Sequence, residues 1–102
     1  MTTILSYLRF SLAEDADLEA FARDVEAMRK LAADQPGHRW SEVGRDPTDP
    51  LVWVVVSEWD SVEQVRAWEH HPAHEALYDV WEPRYREPLL HRRFVPWVRP
   101  QA

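Results

Sequence analysis

The chain has 102 residues, of which 45% are hydrophobic and 29% are charged, a balance typical of one folded globular domain. Its formal net charge of −6 opposes binding to nucleic acid, and the absence of cysteine excludes disulfides, thiolate catalysis and cysteine-ligated metal centres. No apolar run approaches the roughly 20 residues needed to cross a bilayer, so we expect no membrane partner.

The first half of the chain predicts a strand, a helix and a second strand. Residues 3–12 are apolar on both alternating faces, which indicates a central strand buried on both sides. Residues 15–33 place apolar side chains at helical spacing, with acids in the first turn and bases near the last. Residues 35–37, Gln-Pro-Gly, end that helix, and residues 38–45 predict an amphipathic edge strand.

The next segment predicts a second central strand followed by a capped helix. Residues 46–50 form a turn cluster, and the run from Leu51 to Val56 contains no polar residue and is rich in β-branched side chains. Asp60 is the predicted N-cap of the following helix, because Glu63 three residues later completes a capping-box pattern.

A proline interrupts this helix, and the chain then ends in a strand pattern. Pro72 is well placed to start a second helix, from Ala73 to about Trp81. Residues 89–98 predict an edge strand, because Pro96 lacks the N–H group that a central strand needs.

The order of elements predicts a single α+β domain over residues 1–102, a ferredoxin-like split βαββαβ fold. Its four-stranded antiparallel sheet would place the first and third strands in the middle and the helices on one face. The other face would leave Leu5, Tyr7 and three residues of the 51–56 run in water, which forgoes roughly 8–15 kcal/mol. A typical domain is stable by only about 5–15 kcal/mol, so we expect a homodimer that covers this face.

The segment SEWDSVEQVRAWEHHPAHEAL, from Ser57 to Leu77, resembles the antibiotic biosynthesis monooxygenase (ABM) superfamily of dimeric α/β barrels. In that superfamily a strand ends in a tryptophan, a short acid-serine cap opens a helix, and a kink precedes a short second helix. The matching residues are Trp59, Asp60, Ser61, Trp68, Pro72 and His74. The resemblance implies a dimeric α/β barrel. Members of the superfamily include haem-degrading enzymes, and also cofactor-free monooxygenases that act on anthrones or quinols.

The haem-degrading branch has a pattern that this chain matches only in part. That branch uses an asparagine on the first strand, a tryptophan on the second long helix and a histidine about ten residues later. Trp68 matches the tryptophan, but Ser6 occupies the asparagine position and the histidine position falls on Leu77 or Tyr78. Since His71 and His74 lie nearby, a shifted haem ligand is retained as an alternative.

Pro72 makes the second helical region the candidate site. Because proline cannot complete the helical hydrogen-bond ladder, the helix axis bends there and one segment is lifted off the sheet. We predict that four side chains border one cavity below the bend: Trp68, His74, Tyr78 and Trp81. The alternative for the tryptophans is core packing, since an aromatic side chain buries roughly 150–250 Å².

The resemblance also implies roles for these residues. It places His74 on the pocket side, and the ordinary pKa of histidine, about 6.5, suits proton transfer near neutrality. We therefore predict His74 as the catalytic base and Tyr78 as a catalytic hydrogen-bond donor. The predicted substrate-binding residues are Ser6, Trp68, His71 and Trp81, with Ser6 as a second donor and the tryptophans as stacking walls.

Other kinds of site are disfavoured by the sequence. His70 and His74 have the spacing of two metal ligands on one helical face, but Pro72 breaks that geometry, so we predict no metal site. The two glycines lie in turn-like positions, so a glycine-rich nucleotide or flavin loop is lacking. No serine lies in a nucleophile elbow, which argues against a hydrolase.

We therefore expect a cofactor-independent monooxygenase without a bound organic cofactor. Its substrate would be an aromatic polyketide-like or quinol-like molecule that supplies its own electrons to O₂, in an apolar pocket that provides a base and an oxyanion donor. Two alternatives stay open: a non-catalytic dimer that holds a hydrophobic small molecule, and a haem-binding or haem-degrading monooxygenase. The expected location is cytoplasmic, because Met1 leads into a strand pattern without a basic signal segment.

Overall fold

A computed structural model of the chain describes residues 2–97 and contains the predicted elements in the predicted order. They are β1 (Ile4–Ser11), α1 (Leu18–Ala33), β2 (His38–Arg45), β3 (Val52–Trp59), α2 (Val62–Glu69), α3 (Pro72–Trp81), a short 3₁₀ turn (Glu82–Arg84) and β4 (Leu90–Phe94). No helix among the described residues is both long enough and apolar enough to cross a membrane.

The four strands form one antiparallel sheet in the order β2-β3-β1-β4, which confirms the ferredoxin-like fold with β1 and β3 in the middle. β4 is an edge strand, as predicted, but it ends at Phe94 and is shorter than predicted. Pro96 follows the strand and so does not explain its edge position, and residue 98 lies outside the described residues.

The start of α2 differs by one residue from the prediction. Ser61 is the N-cap, and its Oγ accepts a hydrogen bond from the Gln64 backbone N at 3.3 Å, so the Asp60–Glu63 capping box is wrong. Asp60 instead pairs with the Arg39 guanidinium at 3.0 Å. Two overlapping cap patterns, one beginning at residue 60 and one at residue 61, both fit the sequence, and the extended backbone of Ser61 decides between them.

The break at Pro72 is confirmed. α2 ends at Glu69, and α3 begins with Pro72 in its first turn, where the missing N–H group costs nothing. His71 is the N-cap of α3, because its Nδ1 accepts a hydrogen bond from the Ala73 backbone N at 3.1 Å. Two short helices with separate axes therefore replace one long helix above the sheet.

The core lies between the sheet and the helices and consists of two clusters of buried side chains. One contains Ile4, Ala32, Trp59, Val65 and Trp68, and the other contains Leu12, Phe21, Val25 and Trp81. The even-numbered residues of β1 face this layer, so Ser6 lies opposite Ser57 and Leu8 opposite Val55 on the helix side of the sheet.

The odd-numbered residues of β1 face the other side, which no helix of residues 2–97 covers. Leu5 and Tyr7 lie there beside Val56, the partner of Tyr7 on β3. Phe94, opposite Leu5 on β4, has 52% of its surface exposed. Glu58 on this face is buried and accepts a hydrogen bond from the Trp40 indole N–H at 2.6 Å. The two central strands therefore present apolar side chains on this face, and Arg92 on β4 and Glu42 on β2 flank the Tyr7–Val56 pair.

Candidate functional site

A cavity lies between the helix side of the sheet and the three helices, where the two core clusters leave a gap. The space open to the centre of a water molecule is about 90 Å³. One water needs roughly 10–15 Å³ on the same measure, so the space is large enough for a small ligand. Five of the six predicted site residues line this cavity: Ser6, Trp68, His74, Tyr78 and Trp81.

The tryptophan walls are held in place by the core. The Trp68 ring stacks against Trp59, with centroids 6.4 Å apart and planes inclined by 22°. Trp81 packs edge-on against Phe21 at 5.0 Å, and its indole N–H donates to Asp24 Oδ2 at 2.9 Å. Both tryptophans thus belong to the core and to the cavity wall at once, so the two interpretations of these residues are compatible.

His74 occupies the first turn of α3 and turns its imidazole toward the cavity wall. Its ring centroid lies 5.1 Å from that of Trp68 in an edge-on contact. Burial lowers the pKa of His74 below its ordinary value, and the nearby Glu69 carboxylate partly opposes that shift. The imidazole is therefore neutral near pH 7, which leaves a lone pair able to accept a proton.

Two tyrosines contribute phenol groups to the cavity. Tyr78 lies at its exposed side, with 40% of its surface accessible, and contacts Tyr85 edge-on at 6.1 Å. Burial raises the pKa of Tyr85, which keeps its phenol protonated and able to donate a hydrogen bond. Sequence reasoning missed Tyr85, because it follows the 3₁₀ turn and no periodic pattern assigns it to a face.

A cluster of charged side chains beside the cavity was also not predicted from the sequence. Glu69, the last residue of α2, lines the cavity and contacts the Arg93 guanidinium. Its other carboxylate oxygen lies 2.9 Å from His91 Nε2. The only signal in the sequence was the i, i+2 spacing of His91 and Arg93, which places two basic groups on one side of a strand.

His71 is the one predicted site residue that is absent from the cavity lining. Its Nδ1 caps α3, and its ring lies 5.5 Å from Trp68. His71 therefore lies at the start of α3, the helix that carries His74. His70 points to solvent, with 79% of its side chain exposed. No group of three metal-ligating side chains occurs within residues 2–97.

Replacing Trp68 by Ala should lower the free energy of unfolding by about 3–5 kcal/mol, because Trp68 is buried and removing it leaves a large gap. The same change should weaken binding of any aromatic ligand. Urea denaturation followed by circular dichroism measures the first effect, and Trp68→Phe is the matched control that keeps a ring. A loss below about 1 kcal/mol for Trp68→Ala would show that Trp68 is not a core residue.

The chain matches a protein-family model and several known proteins. Residues 3–80 match the family model described as "Antibiotic biosynthesis monooxygenase". The uncharacterized protein YqjZ of Bacillus subtilis is 32% identical over 80 residues, which span 74% of this chain and 68% of YqjZ.

Two solved structures show the same fold at lower identity. A protein from Thermobifida fusca, described as dimeric, ferredoxin-like and of unknown function, superposes with a TM-score of 0.76 at 20% identity, covering 93% of this chain and 92% of that one. SnoaB from Streptomyces nogalater, described as a cofactor-independent oxygenase, superposes with a TM-score of 0.78 at 15% identity, covering 98% and 95%.

Proposed function

The chain belongs to the antibiotic biosynthesis monooxygenase family, and from this premise we propose that it is a cofactor-independent monooxygenase acting on an electron-rich aromatic molecule of the polyketide or quinol class. The similarity to SnoaB, described as a cofactor-independent oxygenase, supports the reaction type. The observation that carries the proposal is His74, a neutral imidazole in the wall of an aromatic cavity.

In the proposed reaction the substrate supplies the electrons and the protein supplies a base and a dry site. For an anthrone-like R₂CH₂, His74 removes one proton and leaves a carbanion whose charge is delocalised through the rings onto the carbonyl oxygen at the opposite position. The carbanion reduces O₂ and combines with it, and the resulting peroxide anion takes the proton back from the His74 imidazolium. The R₂CH–OOH so formed loses water to give R₂C=O. The balance is R₂CH₂ + O₂ → R₂C=O + H₂O, which needs no further reductant.

Five further residues of the cavity have a part in that reaction. The Glu69 carboxylate favours the protonated imidazole after proton transfer, because opposite charges attract more strongly in a poorly solvated site. Ser6 and Tyr78 are the hydrogen-bond donors for the substrate oxygen on which negative charge develops. Trp68 and Trp81 hold the ring system between flat apolar walls.

Oxygen uptake with anthrone as the probe tests the proposal. The purified protein, treated with EDTA and given no flavin or haem, should accelerate oxygen consumption in proportion to enzyme concentration. Anthrone binding without uptake would support a non-catalytic binding protein instead. A Soret band formed on adding haemin, together with uptake only in its presence, would support the haem alternative.

We also propose that the chain forms a homodimer through the helix-free sheet face. Four apolar side chains on this face support the dimer: Leu5, Phe94, Tyr7 and Val56. No helix of the same chain packs over them. Such a face covers itself best by packing on an identical copy about a two-fold axis. The dimeric protein from Thermobifida fusca, which has the same fold, supports the same arrangement.

A further inference from the structure

Three serines form a row across the floor of the cavity. Ser41 on β2 lies directly opposite Ser57 on β3, and Ser57 lies opposite Ser6 on β1. All three line the cavity. Because neighbouring strands are about 4.8 Å apart, the three side chains span roughly 10 Å in a line perpendicular to the strands.

Two hydroxyl groups of this row have unused hydrogen-bonding capacity within the described protein. The Ser57 Oγ accepts a hydrogen bond from the Trp59 indole N–H at 2.9 Å, which leaves its own hydrogen available to another acceptor. The Ser41 Oγ is buried and has no hydrogen-bond partner among residues 2–97. Buried hydroxyls are nearly always partnered, so an unpartnered one in a cavity wall indicates a site for a polar ligand atom.

The rest of the cavity lining carries no unpaired charged side chain. The next row along the strands consists of Val43, Val55 and Leu8, which pair in the same way. The two charged side chains that line the cavity are each paired, Arg29 with Glu26 at 2.6 Å and Glu69 with Arg93. The serine row is therefore a line of neutral hydrogen-bond donors within a surface that otherwise favours an uncharged ring system.

We infer that this serine row binds a neutral, planar ligand through two oxygen atoms roughly one strand spacing, ~5 Å, apart. One oxygen lies between Ser41 and Ser57 and the other between Ser57 and Ser6. The Ser41 hydroxyl, shielded in the free protein, reaches its oxygen by rotating to another staggered position about its Cα–Cβ bond. The inference rests on the proposed function for the identity of the cavity as the substrate site, and it adds the three serines as the residues that bind the two ring oxygens of a quinol-like ligand.

Isothermal titration with 1,4-naphthoquinone and with naphthalene tests the inference, because the two probes share a ring system and differ in two oxygens. Ser41→Ala and Ser6→Ala should each weaken 1,4-naphthoquinone binding about fivefold, the effect of one ordinary hydrogen bond. The affinity of the double variant for 1,4-naphthoquinone should fall about 25-fold, because the two serines bind separate oxygens and their free-energy losses add. Naphthalene affinity should stay within twofold of the unsubstituted protein in every variant.

A stability measurement separates a ligand-binding hydroxyl from a structural one. Ser41→Ala should raise the melting temperature of the free protein, because it removes an unpartnered buried hydroxyl. Ser11→Ala is the matched control: its buried hydroxyl accepts hydrogen bonds from Arg86 at 3.0 and 2.8 Å and lies outside the cavity. That variant should lower the melting temperature and leave binding of both probes unchanged.

Several results would overturn the inference. One is an equal loss of affinity for 1,4-naphthoquinone and for naphthalene in Ser41→Ala. Another is a lower melting temperature for the free Ser41→Ala protein. The third is the absence of measurable 1,4-naphthoquinone binding to the unsubstituted protein. None of these depends on turnover. A protein that shows the predicted binding pattern but consumes no oxygen would confirm the serine row and reject the monooxygenase.

Discussion

Replacing His74 by Ala should lower anthrone turnover by about 10²–10⁴-fold, the usual contribution of a general base. The change removes the imidazole that we place against the substrate, whereas the aromatic walls and the serines remain. The melting temperature and the affinity for a non-reacting ligand should change little, because His74 is only partly buried and contacts Trp68 at its edge. Steady-state oxygen uptake, calorimetry and titration measure the three quantities.

His70→Ala is the control, because His70 is a neighbouring histidine that faces solvent. A similar loss of turnover in both variants would show that turnover depends on the integrity of the helical region around these histidines and not on the His74 imidazole. The pH profile gives a second check. Since burial lowers the pKa of His74, kcat/KM should fall only as the pH drops below about 6.5, where the imidazole becomes protonated.

Glu69→Gln should move the acidic fall in kcat/KM to still lower pH. The groups acting on His74 are the carboxylates of Glu69 and Glu75, which favour its protonated form, and the imidazoles of His71 and His91, which oppose it. Neutralising Glu69 removes a favourable charge and so lowers the pKa of His74 further. An unchanged profile would show that another group controls the proton transfer.

Replacing Tyr7 by Asp should abolish the dimer and destabilise the fold. Tyr7 lies near the centre of the helix-free face, between Val56 on β3 and Arg92 on β4. Dimerisation would take that carboxylate out of water, and the neighbouring Arg92 offsets only part of this desolvation cost. Sedimentation at micromolar concentration should then give a species of 12.1 kDa in place of one with twice that mass.

Val80→Asp is the matched control, since Val80 is an exposed apolar residue on α3, on the helix side of the molecule. This variant should remain dimeric and nearly as stable as the unsubstituted protein. A stable, folded monomer of the unsubstituted chain at micromolar concentration would contradict the proposed dimer. Because dimer stability depends on concentration, melting temperatures must be compared at equal protein concentration.

The fold was predictable because its main signals are local. Two-sided apolar patterns indicated the central strands, and β1 and β3 are indeed in the middle of the sheet. Pro72 indicated the break between α2 and α3, because proline has no N–H group to donate a helical hydrogen bond and this effect is local. The cap of α2 was missed because adjacent residues, Asp60 and Ser61, both begin acceptable cap patterns.

The site was predictable only where it lies close to the break. Trp68, His74, Tyr78 and Trp81 lie within two consecutive helices, so helical geometry sufficed to bring them together. Arg93 and Glu69 are 24 positions apart and meet through the pairing of β4 with β1, which no local pattern specifies. The serine row likewise depends on the register of three strands.

The destination of the two oxygen atoms of O₂ tests the central claim most directly. Anthrone incubated with the purified, EDTA-treated protein under ¹⁸O₂ should yield a ketone product with one ¹⁸O atom at the oxidised carbon, while the other atom appears in water. His74→Ala should yield no labelled product above the rate without enzyme. Labelled product formed equally by the unsubstituted protein and His74→Ala, or none formed by either, would contradict a cofactor-independent monooxygenase that uses His74 as its base.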